Sequence, residues 1–579
     1  MTHLTLRKPR LGLSLATAGL GIILAGCGDD DGDVAAPLTP LALKADCAGL
    51  LGMTIPAAQI GLPTNGAVVK SAAVAPVVAP FPDAEGEHLL ETPSRCIVQG
   101  EIASLSAGAP PIRFNINLPL TNWNHRLLQS GGGGLGGALI TSPGAKGSGR
   151  FDPNPVDTPY PITQGYVTFG SDGGHASTDT AFTRNDEAMR NWAGDEIKKT
   201  RDVAVAVVTS AYGTAPSKVF FSGESAGGRE AMMAAQRFYA DYDGVIATSP
   251  VIAWYYAHLA DNNVRDKLIN GFLDQAAIKL IADKTRASCD LQDGLADGVI
   301  AKYLSCTNDA ASLRCATGQP GAGCLSDAQI ASVNALRDPF SMTVPLANGW
   351  NRFPGFGVTG DEDGATFQYA FYPIGTVAPS LDLPAGRGFE AGRGAILNFG
   401  AFLVRHTIAQ NDAFNPYLFR PEPYAARIQY LSSLFDATNP DLSGLAKKGG
   451  KLIIVHPSAD NATPLTVSGE YYRRVVATLG QAETDNVMRL YVGPGGSHNV
   501  GGTTQIEALK MLEDWVLSNQ TPPDAPIAYN KNLVTKAFIR SLPACRYPAY
   551  PRYNGSGDVN IAASFTCTAR PDPMITGGG

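Results

Sequence analysis

One serine stands in a setting that suits nucleophilic chemistry: Gly223-Glu224-Ser225-Ala226-Gly227 follows the short apolar run Lys218–Phe221. A strand, a sharp turn and a helix in this order form a nucleophile elbow, where small residues must flank the serine. The backbone N–H of Ala226 can then help hold an oxyanion at the N-terminus of the helix. A non-catalytic glycine-rich turn has the same spacing, and the predicted strand and helix around it favour the nucleophile.

A serine hydroxyl needs a general base, and the order of the chain points to two partners for it. In an α/β hydrolase the acid and the histidine follow the serine, on loops after late strands. Asp460 follows the apolar run Lys451–Val455, and His498 follows a later run. We predict that Ser225 attacks an ester carbonyl, His498 takes its proton and Asp460 orients the imidazole. His456 lies nearer the strand end and is expected to be structural.

The second oxyanion donor should come from an early glycine-rich loop. The run Gly131–Gly134 follows a predicted strand, and Gly131 and Gly132 fit this place, with Gly131 the expected partner of Ala226. Asp172 and His175 precede the serine and are expected to shape the site rather than to act in the triad. No step of this chemistry needs a cofactor.

An acidic loop forms a second candidate site. Asp290, Asp293 and Asp297 lie close together on a chain segment broken by glycines. Such hard oxygen ligands suit calcium, and the backbone carbonyls of Leu295 and Val299 can complete the shell. On spacing alone, a solvated acidic turn explains the loop equally well, because it is no EF-hand.

The elements that must position these residues alternate between strand-like and helix-like segments from about residue 95 to 250. This pattern predicts a parallel sheet covered by helices. It stops at 251 and resumes at Lys451–Val455, while residues 251–444 hold four cysteines and many aromatics without regular alternation. We predict one α/β domain in two parts, 46–250 and 445–579, interrupted by a large insertion.

The N-terminus predicts export and a lipid anchor. Basic residues precede an apolar stretch, which ends in Leu24-Ala25-Gly26-Cys27. A basic start, a short apolar core and small residues before a cleavage site are typical of a secretory signal. Cys27 after Leu-Ala-Gly resembles a bacterial lipobox, so residues 1–26 are interpreted as a lipoprotein signal peptide. Residues 27–45 are interpreted as a polar tether that places the protein in the cell envelope.

Eight cysteines remain once Cys27 is set aside, and an even number in an exported chain favours disulfides. The chain has no CxxC pair, which disfavours a thiolate zinc site. Eight cysteines allow about 105 pairings. The simplest prediction pairs nearest neighbours: Cys47 with Cys96, Cys289 with Cys306, Cys315 with Cys324, and Cys545 with Cys567.

Composition limits the partners. The 579 residues carry a net charge of −7 with no basic block, which argues against a nucleic-acid partner. Nothing after residue 26 resembles a membrane span of about 20 apolar residues. We expect a monomer that meets the membrane through its lipid anchor and binds a small ester.

Several motifs in the same order resemble the tannase and feruloyl esterase family. They are Ser-Asp-Gly-Gly-His at 171–175, Ser-Ala-Gly-Gly-Arg-Glu at 225–230, Tyr-Asp-Gly at 242–244, Cys-Asp at 289–290, Asp-Gly at 297–298, and Arg-Tyr-Asn-Gly-Ser-Gly-Asp at 552–558. The resemblance implies an α/β-hydrolase fold with a large inserted lid domain, 251–444. It also implies esters of aromatic acids as substrates, of the feruloyl, galloyl or terephthalate monoester type.

The resemblance implies further site residues. Family members bind structural calcium at the position of the acidic loop, and Arg393 aligns with an arginine that clamps a substrate carboxylate. A solvated surface arginine is the alternative for Arg393. Four lid aromatics can flank a substrate ring, with core packing as their default role: Trp254, Tyr255, Phe399 and Phe402.

The elbow departs from the family pattern, which joins a cysteine before the serine to a cysteine after the histidine. Glu224 and Asn499 stand at those positions, so the chain is predicted to lack the cysteine pair beside the triad. An aromatic residue that follows the acid in a terephthalate-cleaving member is replaced by Thr463. Two other functions therefore stay open: a general carboxylesterase for short aliphatic esters, and a non-catalytic binding lipoprotein of the envelope.

Overall fold

A central sheet carries the candidate site in this computed structural model, which describes residues 38–80, 90–141, 154–176, 179–316, 321, 323–364, 369–370, 372–379, 392–498 and 501–569. The predicted signal peptide, Cys27 and most of the predicted tether lie outside these residues. The described residues fold as one compact unit. Each helix of the described residues is too short or too polar to span a bilayer.

The strands of the described chain are as follows: β1 Thr54–Ile55, β2 Ala67–Ala75, β3 Arg95–Ile102, β4 Ile112–Pro119, β5 Arg126–Ser130, β6 Val167–Ser171, β7 Lys218–Glu224, β8 Gly244–Thr248, β9 Phe340–Ser341, β10 Arg352–Phe353, β11 Lys451–Pro457, β12 Met488–Gly493, β13 Ile527–Lys531, β14 Phe538–Pro543, β15 Cys545–Arg546, β16 Tyr550–Tyr553 and β17 Phe565–Thr568.

The α-helices of the described chain are as follows: α1 Asp186–Arg190, α2 Glu196–Tyr212, α3 Ala226–Gln236, α4 Trp254–Leu268, α5 Gln275–Cys289, α6 Asp327–Arg337, α7 Ala395–Phe402, α8 Ala425–Phe435, α9 Ser443–Lys448, α10 Leu465–Leu479, α11 Gln481–Val487 and α12 Ala508–Ser518.

Within the described residues, eleven strands form one mixed sheet in the order β1-β2-β3-β4-β6-β5-β7-β8-β11-β12-β15. The six strands from β6 to β12 in that order are parallel, and the strands on either side of them are antiparallel. Strands β6 and β8 are buried along their whole length, as expected where helices cover both faces of a parallel sheet. The predicted α/β-hydrolase architecture is confirmed.

The insertion separates two neighbouring strands of this sheet. Helices α4 to α8 and the small β9–β10 hairpin come between β8 and β11 in the chain, while β8 and β11 pair directly in the sheet. The insertion therefore begins at the carboxyl end of β8. The other parallel strands have their carboxyl ends at this same edge of the sheet, which the insertion adjoins.

Four disulfides join the cysteines of the described chain, and all four nearest-neighbour pairings are confirmed. At the N-terminal side the fold begins earlier than the predicted tether ends. Leu41 exchanges backbone hydrogen bonds with Trp123, and the N–H groups of Lys44 and Ala45 donate to the carbonyl of Ala211. Residues 41–45 are thus part of the folded domain.

Candidate active site

Ser225 occupies a sharp turn between β7 and α3. Its backbone has φ 57° and ψ −117°, a conformation that non-glycine residues rarely adopt. Residues in such conformations cluster at functional sites. The turn requires glycine beside it, because a Cβ on Gly223 would lie 2.2 Å from the carbonyl oxygen of Gly227. The predicted strand–turn–helix elbow is present.

The structure brings the three predicted triad residues together in one hydrogen-bonded chain. Nε2 of His498 lies 2.9 Å from Oγ of Ser225, and Nδ1 of His498 lies 2.8 Å from Oδ2 of Asp460. All three side chains are buried. His498 follows β12 and Asp460 follows β11, so neighbouring parallel strands present both at one sheet edge. The geometry suits proton transfer from the hydroxyl to the imidazole.

Charges near the imidazole favour its protonated form. Burial lowers the pKa of His498, but Asp460 and Glu224 outweigh burial, so the net pKa is raised above 6.5. Burial likewise raises the pKa of Asp460, but the opposing charge of His498 brings it down to about 2. Asp460 therefore stays ionised and can stabilise an imidazolium.

Backbone and side-chain donors hold the acid in place. Oδ1 of Asp460 accepts hydrogen bonds of 2.8 Å from the N–H groups of Ala462 and Thr463. The hydroxyl of Thr463 lies 2.9 Å from Oδ2 of the same carboxylate. His456 is fully buried and contacts Ser468 Oγ and the Thr463 carbonyl, which suits the structural role predicted for it. In the sequence, Thr463 stands out only because it replaces an aromatic residue, and this support of the acid is not predicted.

The prediction that Gly131 donates to the oxyanion is wrong. The N–H of Gly131 donates to the carbonyl of Ser222 at 3.0 Å, which continues the pairing of β5 with β7, so it is not free to bind an oxyanion. The N–H of Gly132 donates to Glu230 at 2.8 Å. Gly133 and Gly134 follow, and their N–H groups have no acceptor among the described residues. Ala226 is buried at the start of α3, where the elbow predicts the first donor.

The loop that follows these glycines is braced from behind. Nε2 of His175 lies 3.0 Å from the carbonyl oxygen of Leu135, and the imidazole stacks on Phe182. Asp172 accepts hydrogen bonds from the backbone and side chain of Arg113. Both residues therefore contact the scaffold of the site and not Ser225. Sequence reasoning missed Glu230, although it closes the motif that begins with the serine.

The position before the serine holds a carboxylate that touches the triad. Oε1 of Glu224 lies 3.1 Å from Nε2 of His498, and the predicted partner position, Asn499, is outside the described residues. The expectation of a chain without the family's cysteine pair needs a correction, because the described chain is cross-linked by four disulfides. One of them, Cys545–Cys567, begins on β15 opposite Val492 of the strand that leads to His498.

Lid residues reach the site at two points. The ring centroid of Tyr372 lies 5.7 Å from that of His498, a contact that no sequence motif predicts. Arg393 is half-buried, and its backbone pairs with Gly375, three residues beyond Tyr372. A Cβ on Gly134 would lie 3.9 Å from Cζ of Phe399, so that ring adjoins the glycine loop.

The other three aromatic candidates pack within the core. Trp254 lies edge-on to Trp192, and Phe402 contacts the same ring. The hydroxyl of Tyr255 donates to Thr407. The contacts of these three residues are those of core packing, which is their default interpretation.

The acidic loop offers calcium ligands of the right kind without a closed arrangement. Asp290 accepts hydrogen bonds from the backbone of Asp297 and Gly298, and Asp297 pairs with Arg540. Burial, helped by the two neighbouring carboxylates, raises the pKa of Asp293 to about 6. No group of three acidic, histidine or cysteine side chains poised for a metal occurs in the described part of the chain. Calcium at this loop, with Leu295 and Val299 as carbonyl ligands, stays a prediction.

Comparison with known proteins identifies the family. Residues 96–568 match the family model described as tannase and feruloyl esterase. An esterase of Agrobacterium fabrum, itself uncharacterised, is 33% identical over 90% of this chain and 92% of its own length. The mono(2-hydroxyethyl) terephthalate hydrolase of Piscinibacter sakaiensis is 29% identical over 83% of this chain and 85% of its own.

A solved structure has the same fold. Feruloyl esterase B from Aspergillus oryzae superposes with a TM-score of 0.69 at 23% identity, covering 88% of this chain and 98% of that one.

Proposed function

The chain belongs to the tannase and feruloyl esterase family, and we propose that it is a serine esterase that hydrolyses carboxylic esters of aromatic acids through an acyl-enzyme. The hydrogen-bonded chain of Asp460, His498 and Ser225 at the elbow carries this proposal. A serine with a base at 2.9 Å and an ionised orienting acid has what acyl transfer needs.

Acylation begins when Oγ of Ser225 attacks the ester carbonyl. The Oγ–H proton passes to Nε2 of His498, the Oγ–C bond forms, and the carbonyl electron pair moves onto oxygen. The N–H of Ala226 and an N–H from Gly133 or Gly134 are the proposed oxyanion donors, since the N–H groups of the two preceding glycines are occupied.

Collapse of the tetrahedral intermediate breaks the bond to the alcohol, which takes the proton from Nε2 of His498. Water then attacks the acyl-enzyme with His498 as base, and the acid leaves as Ser225 regains its proton. Asp460 stabilises the imidazolium in both halves of the reaction. Every proton transfer is covered by these residues, so the proposed reaction uses no cofactor.

An aromatic acyl group is favoured by the relatives' activities and by Phe399. The relatives are named for feruloyl and terephthalate esters, and Phe399 lies against the glycine loop beside the elbow. Arg393 is the proposed contact for a substrate carboxylate, because its backbone pairs close to Tyr372, a neighbour of His498.

A general carboxylesterase is the second candidate. Thr463 replaces an aromatic residue after the acid, so this position offers no ring to a substrate. Its buried hydroxyl instead hydrogen-bonds to Asp460 and to the Ser249 carbonyl. Purified enzyme should be compared on methyl ferulate, methyl gallate, mono(2-hydroxyethyl) terephthalate and p-nitrophenyl butyrate. A kcat/KM for every aromatic ester below that for the butyrate would reject the aromatic assignment.

The same panel tests catalysis itself. Ser225→Ala should lose all hydrolysis above background, while Ser217→Ala, an exposed serine, should retain it. Hydrolysis that persists in Ser225→Ala would reject the mechanism, and a wild type inactive on all four esters would favour the non-catalytic binding lipoprotein.

We also propose that the protein is exported and anchored through lipidated Cys27, and that it is monomeric. The support is the Leu24–Cys27 sequence after a basic, apolar segment. In cells, Cys27→Ser should move the protein from the membrane fraction to the soluble fraction; unchanged membrane attachment would contradict the anchor.

A further inference from the structure

The imidazole of His498 lies between two carboxylates, although a catalytic triad needs only one. Asp460 faces Nδ1 at 2.8 Å, and Oε1 of Glu224 lies 3.1 Å from Nε2. Nε2 is also the atom that faces Ser225 at 2.9 Å. Glu224 thus lies beside the nitrogen that must accept the serine proton and later release it.

The backbone fixes this placement. Glu224 is the last residue of β7 and pairs with Thr248 of β8, while the N–H of Ser225 donates to the Thr248 carbonyl. The side chains are largely closed to solvent, with 12% of Glu224 and 4% of His498 exposed. A carboxylate in such a site interacts with an imidazolium more strongly than it would in water.

In the described part of the chain, three other titratable groups surround the pair. His456 is on β11, Asp460 is on the loop after it, and Tyr372 comes from the lid. Burial lowers the pKa of His456, which therefore stays neutral. Burial, together with the nearby carboxylates, raises the pKa of Tyr372, whose hydroxyl stays protonated. Among the described residues, Glu224 and Asp460 are the carboxylates that act on His498.

We propose that Glu224 is a second carboxylate partner of the catalytic base His498, beside Asp460. Glu224 stabilises the imidazolium of His498 that is protonated at Nε2 during acyl transfer, and it sets the pH at which the base becomes free. This inference rests on the proposed esterase function. Glu224 acts through His498 and so is a positioning residue. During acylation the proton leaves Oγ for Nε2, and the ionised Glu224 carboxylate offsets the positive charge that forms there.

The same carboxylate has a cost at low pH. Burial raises the pKa of Glu224 to about 8, against the opposing effect of His498. The two side chains therefore share one proton, and they keep it up to a pH above the usual pKa of an imidazole. That proton blocks the base until it is lost, and its apparent pKa belongs to the pair. The acid limb of kcat/KM should therefore lie at higher pH with Glu224 than without it.

The test is the pH profile of kcat/KM for wild type, Glu224→Gln and Glu224→Asp. Hydrolysis of p-nitrophenyl butyrate is followed from pH 5 to 9.5 by chromatographic quantification of the acid. Glu224→Gln should move the acid limb down by about one to two pH units and lower the alkaline plateau about tenfold. Glu224→Asp keeps the charge but withdraws it from Nε2, so it should move the acid limb in the same direction by a smaller amount than Glu224→Gln does.

A purely structural role would lower the plateau and leave the limb in place. An unchanged acid limb in Glu224→Gln, or one moved to higher pH, would overturn the proposal. If Glu224→Gln does not fold, Glu224→Asp decides: an acid limb moved by its withdrawn carboxylate supports the proposal, and an unmoved one rejects it. A wild type that neither hydrolyses esters nor reacts with a fluorophosphonate would instead reject the esterase function.

Discussion

The triad at the sheet edge and two buried side chains of the lid differ in how their polar atoms are satisfied. At the edge, Asp460, His498 and Ser225 are each hydrogen-bonded within one chain. In the lid, Trp254 Nε1 and His258 Nε2 are buried without a hydrogen-bond partner among the described residues. A buried polar group left without a partner costs about 1–3 kcal/mol. The candidate triad is therefore preorganised by its own hydrogen bonds, whereas these two lid side chains are held by packing at these atoms.

The two regions also differ in how the chain forms them. Ser225 directly follows β7, and Asp460 and His498 lie on short loops that follow β11 and β12. These strands belong to one parallel sheet, in which β8 lies between β7 and β11, and β12 pairs with β11. The lid is built of helices and short 3-10 turns joined by irregular segments. Short loops anchored on a rigid sheet place a side chain more precisely than irregular segments do. Changes at the sheet edge should therefore affect all substrates alike, and changes in the lid should affect them unequally.

The largest effect should follow the loss of the orienting charge. Asp460→Asn keeps the shape of the side chain but removes the charge that fixes the imidazole tautomer, so kcat should fall about 10⁴-fold. The factor should be the same for aromatic and aliphatic esters. Steady-state rates on methyl ferulate and p-nitrophenyl butyrate measure it, with exposed Asp283→Asn as control. A loss confined to one ester would break the division between sheet and lid.

A smaller, selective effect is expected in the lid. Phe399→Leu removes a ring beside the glycine loop, and an aromatic contact contributes about 0.5–1.5 kcal/mol. We expect kcat/KM for methyl ferulate to fall up to about tenfold while the value for p-nitrophenyl butyrate changes little.

Phe402→Leu is the matched control, because its ring packs on Trp192 and His406 inside the fold. It should lower the thermal midpoint without changing the ratio of the two kcat/KM values. Equal selectivity changes in both variants would show that Phe399 has no special place at the substrate.

How far the sequence predicts this molecule depends on whether local rules suffice. The elbow is local: glycines must flank Ser225, and strand and helix patterns surround it. The disulfides are nearly local, since nearest neighbours pair. The occupied N–H of Gly131 was not predictable, because it depends on the pairing of β5 with β7. The contact of Glu224 with His498 joins residues 274 positions apart and leaves no local pattern.

The smallest effect concerns stability rather than activity. If the acidic loop binds calcium, chelation should lower the thermal midpoint by about 2–5 °C, since a bound ligand stabilises the folded state by mass action. Calorimetry with and without chelator measures the shift, and Asp293→Asn should abolish it. A midpoint that chelation leaves unchanged in the wild type would reject the calcium site and leave a solvated acidic turn.

The most direct test of the central claim is the position of covalent labelling by a fluorophosphonate. Peptide mass spectrometry of the labelled protein should place the adduct on Ser225, with labelling slowed by methyl ferulate and strongly reduced in Asp460→Asn. An adduct on another residue, or rapid hydrolysis by a protein that takes no label at Ser225, would contradict the account.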